Sequence, residues 1–132
     1  ASFVLAFTRI GLMPDGGATA LVAASIGRAR AMRLAMTGEK LPAATAAEWG
    51  LVAECVPAAS FSARCDELLA AFSVGATTAL AEVKMAVNAA SVDVEGALAR
   101  EEVGQTALSH TADYREGVAA FLAKRPAEFT GA

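Results

Sequence analysis

The chain has 132 residues, a formal charge of −3 at pH 7, 55% hydrophobic residues and 19% charged ones, and its length suits one ordinary domain. The acidic balance gives no electrostatic footprint for nucleic acid or an anionic membrane, and the supply of large apolar side chains argues against disorder. Much of the apolar content is alanine, 34 residues, while the aromatics are six Phe, one Trp and one Tyr, a mix that favours closely packed helices with a modest core over a sheet sandwich.

Residues 2–13 are apolar and aromatic-rich, with Thr8, Arg9 and Gly11 as interruptions, and the opening Ala1-Ser2-Phe3-Val4-Leu5-Ala6-Phe7 has the look of a strand. Pro14-Asp15-Gly16-Gly17 is the strongest turn signal in the chain. A helix is predicted over 18–26 with Gly27 as its stop, and a second over 29–36 before Thr37-Gly38. Pro42 precedes a short alanine-rich helix, 43–49, closed by Gly50. Leu51 to Val56 alternates loosely and is the other strand candidate, ended by Pro57.

Beyond Pro57 the pattern becomes helical throughout. Phe61, Cys65, Leu68, Leu69 and Phe72 make one apolar stripe, and Leu80, Val83 and Val87 a second. Asp93 to Leu108 is more polar, carrying Arg100, Glu101, Glu102 and Gln105, and such a face suggests solvent or a partner surface. A last helix is predicted from about Asp113, with Glu116 three residues on as a capping box, running to Pro126. The apolar runs are interrupted well short of the ~18 residues of a membrane span. Cys55 and Cys65 read as reduced thiols of a cytosolic protein.

Little in the sequence carries chemistry by itself. His110, the single histidine, lies in Ser-His-Thr between helices and reads as a solvated loop residue rather than a general base. One His and two Cys match no metal-ligand spacing, so no metal site is expected. Arg28, Arg30 and Arg33 could bind an anion but fit a solvated helix face better, and Trp49 fits core packing. The turn at Asp15 remains. Its glycines let backbone amides approach a ligand, and a helix start favours negative charge. On these grounds alone Asp15 is a helix cap in preference to a catalytic acid or base.

The run Phe3-Val4-Leu5-Ala6-Phe7-Thr8-Arg9-Ile10-Gly11-Leu12-Met13-Pro14-Asp15-Gly16-Gly17 resembles the central motif of the crotonase (enoyl-CoA hydratase/isomerase) superfamily. Gly27-Arg28-Ala29, Leu34-Ala35-Met36-Thr37-Gly38, Ala46-Ala47-Glu48-Trp49-Gly50-Leu51-Val52 and the tail 113–126 follow in family order. Within the superfamily the chain is most similar to the 1,2-epoxyphenylacetyl-CoA isomerase branch. The resemblance implies an α/β crotonase-like spiral of the ClpP/crotonase type, of which this chain is the mostly helical C-terminal half with few short strands. Residues 1–57 would close the spiral core and 58–132 would form a helical region that covers the site and builds a homo-trimer or hexamer.

The resemblance also implies an acyl-CoA thioester as substrate, with coenzyme A part of it and no further cofactor. Two backbone amides would hold the thioester oxygen as its enolate develops. Those amides belong to the family's N-terminal half, which this chain does not contain. Hydratases of the family place a second glutamate seven residues before the motif proline, and here that position is Phe7. Isomerases place an acid directly after the proline, which is Asp15. The preference therefore turns to Asp15 as the acid/base for isomerising, or less readily hydrating, an enoyl-CoA or a related ring acyl-CoA. Phe7, Pro14, Gly16, Phe121 and Lys124 are the implied acyl-pocket and CoA contacts. The usual Gly-Gly-Thr after the proline is displaced to Gly16-Gly17-Ala18-Thr19. The rival reading is a catalytically incomplete C-terminal piece that serves as an oligomerisation or complementation partner.

Overall fold

A computed structural model describes residues 1–131, apart from the side chains of Ala90 and Ser91. The order of elements is β1 (Ser2–Phe3), a 3₁₀ turn (Ala6–Ile10), α1 (Ala18–Ile26), α2 (Arg28–Thr37), β2 (Leu41–Pro42) and α3 (Ala43–Trp49), then a 3₁₀ turn (Ala58–Ser60), α4 (Phe61–Ser73), α5 (Thr77–Ser91), α6 (Val94–Ser109) and α7 (Ala112–Ala123). β1 and β2 pair antiparallel, Ser2 opposite Pro42 and Phe3 opposite Leu41.

Helix limits in the first half follow local chemistry. Gly17 and Gly27 bracket α1, and Gly38 closes α2 in the left-handed region, its N–H donating to the Leu34 carbonyl. Pro42 is the N-cap of α3 and Gly50 its left-handed C-cap. These helices meet over Ile26, Ala31, Leu34, Leu41 and Ala46, flanked by Leu5, Val22, Trp49 and Leu51. Burying the leucine and isoleucine side chains contributes roughly 1.5–3 kcal/mol each, while Ala31 and Ala46 let the backbones approach. A second contact joins α7 to the first 3₁₀ turn. Gly117 faces the Ile10 backbone so closely that a Cβ would stand 2.5 Å from the Ile10 Cα.

Of the two strands predicted from sequence, the first forms only in part and the second does not form among the described residues. Of 1–7 only Ser2–Phe3 is a strand, and the segment around Phe7 winds into the 3₁₀ turn that ends at left-handed Gly11. Leu51 to Val56 is irregular. An alternating segment becomes a strand only when a neighbouring strand supplies its hydrogen bonds, and the partner β1 finds is Leu41–Pro42. The capping box at Asp113 and Glu116 is also absent. Thr111 caps α7, its Oγ1 accepting from the Tyr114 N–H at 3.0 Å.

Asp113 instead accepts from the Thr130 and Gly131 amides at 2.7 and 2.8 Å. Glu116 takes a forked ion pair from Arg125 at 2.6 and 2.8 Å and the Glu128 N–H at 3.0 Å. Arg125 and then that amide hold the Glu116 carboxyl far down, at about 2. The two acids thus fasten the C-terminal segment to α7.

The apolar stripes of α4 and α5 remain largely uncovered within this chain. Phe61 is 60% exposed, Leu69 65% and Val83 60%. No single helix among the described residues is long and apolar enough to cross a membrane.

Candidate active site

Leu12 to Gly17 leads from the 3₁₀ turn into α1. Pro14 is buried, Asp15 and Gly16 are exposed, and Gly17 is buried at φ 80. Gly16, at φ 64, is left-handed too, and two such residues in succession favour glycine strongly. The double turn carries the chain into the helix while leaving the Asp15 side chain outside it. The Asp15 carbonyl accepts from the Ala18 N–H at 3.1 Å, and the Gly17 carbonyl accepts from Leu21 at 2.9 Å.

Asp15 does not cap α1. The N-cap is Gly17, which has no side chain to offer, so the unpaired amides of the first turn need an acceptor from elsewhere. Glu101 of α6 supplies it, 84 residues downstream of Gly17. Its Oε2 accepts from the Gly17 N–H at 2.6 Å, and its Oε1 accepts from the Thr19 N–H at 3.0 Å and from the Thr19 hydroxyl. Thr19 is the threonine displaced from the family's usual spacing.

The Glu101 residue is only 2% exposed. Burial pushes its carboxyl up, but the Thr19 hydroxyl, the Gly17 and Thr19 amides and the Arg100 charge together hold it below the ordinary value. Its carboxylate also sits at the positive end of the α1 dipole. The polar face of α6 is therefore in part an internal surface, not the solvent or partner face its composition suggests.

One turn further along α6, Gln105 reaches Asp15. Its Nε2 donates to Asp15 Oδ2 at 3.0 Å. Its Oε1 is buried and has no hydrogen-bond partner among the described residues. Residues four apart share one helix face, so Glu101 and Gln105 grip the start of α1 and the Asp15 carboxylate from one side. Gly104, beside them, gives the Met13 thioether room against the helix, since a Cβ there would run into the sulfur. A glutamate within a polar helix offers no local sign of this role. The available sequence signal was the i, i+4, i+8 spacing of Ala97, Glu101 and Gln105, of which the first two are buried and the third half-buried.

The other candidate residues are spread more widely. Phe7 is half-buried in the 3₁₀ turn, its carbonyl accepting from the Leu12 N–H at 3.0 Å. Phe121, 74% exposed, lines a cavity of about 350 Å³ with Arg9, Ile10, Arg125 and Phe129. That cavity shares no lining residue with the Asp15 turn. Lys124 ends α7 in the left-handed region at φ 52. Among the arginines of α2, Arg30 stacks over Trp49 at 4.8 Å from the ring centre and Arg33 pairs with Glu39 at 2.7 Å. Arg28 borders an apolar groove of about 230 Å³ between α1 and α2, next to Val22 and Met32. His110 is the exposed C-cap of α6.

The family model for enoyl-CoA hydratase/isomerase matches residues 1–132, and the chain belongs to that family. It is 46% identical over 132 residues to a protein of Rhodobacter capsulatus described as a probable enoyl-CoA hydratase, covering 99% of this chain and 51% of that protein. It is 41% identical to the 1,2-epoxyphenylacetyl-CoA isomerase of Escherichia coli, covering 99% of this chain and 50% of the other. The crystal structure of an enoyl-CoA hydratase from Mycobacterium avium subsp. paratuberculosis superposes with a TM-score of 0.95 at 50% identity, over 98% of this chain and 53% of that one. The chain thus spans about half the length of the relatives it matches.

Proposed function

We propose that the whole protein isomerises enoyl-CoA thioesters, with Asp15 as the base that moves the proton. The carrying observation is that the Asp15 carboxylate is exposed and free of helix-capping duty, held at Oδ2 by one amide donor. In the step proposed, Asp15 accepts a proton from the carbon next to the thioester carbonyl and the electron pair moves into the thioester oxygen as an enolate. Return of that proton to the far end of the allylic system shifts the double bond, so neither water nor a redox partner is consumed. Enolate stabilisation would come from backbone amides outside this chain. A side chain that takes and returns one proton needs only a carboxylate within reach of both carbons.

Phe7 supports isomerisation over hydration, because water addition by the two-carboxylate route needs an acid that phenylalanine cannot supply. The E. coli relative, an isomerase, points the same way, and the R. capsulatus relative, described as a probable hydratase, keeps hydration as the alternative. Pro14 and Gly16 would border the acyl group, and Phe121 and Lys124 the CoA moiety. Assembly as a homo-trimer or hexamer fits the uncovered α4 and α5 stripes.

The test is Asp15→Asn in the whole protein, assayed by interconversion of 3-enoyl-CoA and 2-enoyl-CoA. A general base is worth about 10²–10⁴-fold, so that loss is expected with the fold intact. Isomerisation at the wild-type rate would refute the role of Asp15, and rapid hydration of crotonyl-CoA would refute the preference for isomerisation.

A further inference from the structure

Two groups of α6 face the proposed base, and they do different work. Glu101 fixes where α1 begins: its two carboxylate oxygens take the Gly17 and Thr19 amides and the Thr19 hydroxyl, so the turn carrying Asp15 is tied to α6 through the backbone. Gln105 acts on the carboxylate itself, through the Nε2 to Oδ2 hydrogen bond of 3.0 Å. We propose that Gln105 is a positioning residue that reserves Oδ2 as a hydrogen-bond acceptor and leaves Oδ1 of Asp15 as the oxygen that takes and returns the proton. This inference rests on the reading of Asp15 as the base.

The geometry supports the assignment in three ways. An amide donating to one carboxylate oxygen removes the rotational freedom of a short exposed side chain, which otherwise spends much of its time turned away from a bound substrate. Gln105 lies four positions after Glu101, about one helical turn, so the donor rides on the same rigid element that holds the turn. The Gln105 Oε1 is buried with no partner among the described residues, an arrangement that costs free energy. The end of the amide that is paired is Nε2, and its partner is Asp15.

The experiment compares Gln105→Met, Gln105→His and Asp15→Asn in the whole protein, following isomerisation of 3-enoyl-CoA with thermal unfolding alongside. Gln105→Met keeps length and packing and removes the donor. It should lower kcat by about ten- to a hundredfold, the scale of one hydrogen bond to a charged group, with KM within about twofold. Gln105→His returns an N–H donor and should recover a large part of kcat. If Asp15→Asn is inactive while Gln105→Met keeps the wild-type kcat, the positioning role is overturned and the role of Asp15 stands. If Gln105→Met and Gln105→His lose kcat alike, packing and not the donor is responsible, and the proposal is again overturned. Wild-type activity in Asp15→Asn would overturn both readings.

Discussion

Replacing Gly117 by alanine sets two effects of opposite sign against each other. In the interior of α7 the change alone should stabilise the helix by about 1 kcal/mol, because glycine loses more backbone freedom on folding than alanine. Against this, the new Cβ would stand 2.5 Å from the Ile10 Cα, 2.6 Å from its carbonyl carbon and 2.8 Å from its oxygen. Ordinary contact begins at 3.4 Å, so α7 and the 3₁₀ turn must part by about 0.9 Å. The obstructing atoms are backbone and cannot rotate aside, which puts the overpacking cost at the upper end of its usual range, about 3 kcal/mol.

The net expectation is a destabilisation of roughly 2 kcal/mol, read as a lower midpoint in urea unfolding of the whole protein with an unchanged slope. Gly104→Ala is the internal control. Its Cβ would strike the Met13 sulfur, which belongs to a flexible unbranched side chain able to swing clear, and the change should fall within about 1 kcal/mol of wild type. A Gly117→Ala protein as stable as the wild type, or equal losses in the two variants, would refute this account of how α7 docks.

Glu101→Gln should destabilise by roughly 2–3 kcal/mol, since an amide can satisfy only part of the Gly17, Thr19 and hydroxyl donors and leaves a buried group unpaired; an unfolding midpoint equal to wild type would contradict it. Because the folded carboxyl of Glu101 is held below its ordinary value of 4.5, its contribution is fully present above that pH and is lost as pH falls through the lower folded value; denaturant titrations between pH 6 and 3 (roughly the window that brackets an ordinary carboxylate) should show the loss in wild type and less of it in Glu101→Gln. Glu116, at about 2 when folded against 4.5 otherwise, gives the same sign at the C-terminal segment: protection of the Glu128 amide from hydrogen exchange, relative to its intrinsic rate, should hold at neutral pH and fall as pH drops from 4.5 toward 2. Exchange independent of pH after allowance for intrinsic rates would mean that the forked pair with Arg125 does not fasten that segment.

The helices of the first half were legible because their ends are set by residues inside them or next to them. Gly17, Gly27, Pro42 and Gly50 act locally, and α1 and α3 occupy the predicted ranges. The strand expected at Leu51 to Val56 shows the limit of that reasoning, since alternation describes one face of a ribbon and says nothing of the partner that completes it. The start of α7 was misplaced by two residues: Asp113 and Glu116 have the spacing of a capping box, yet both are engaged by the segment around Glu128 to Gly131, and Thr111 takes the cap. At the candidate site the division is sharper. Composition favoured Asp15 as a helix cap, and the resemblance to crotonases reversed that preference. Glu101, which does cap α1, lies on a helix whose polarity suggests solvent or a partner surface, because the donors it serves lie in a distant turn.

The tie between Asp15 and α6 also bears on the order in which the molecule can be made. Asp15 and Gln105 are 90 residues apart in the chain, and a ribosome adding about 5–20 residues per second needs roughly 4–18 s to span that distance. Throughout that interval α1 has been synthesised without its acceptor, and its first amides have only water. The proposed base is therefore among the last features of this chain to be set during translation. Nascent molecules that are cut or stalled before α6 would carry the motif in sequence while lacking the clamp that orients it.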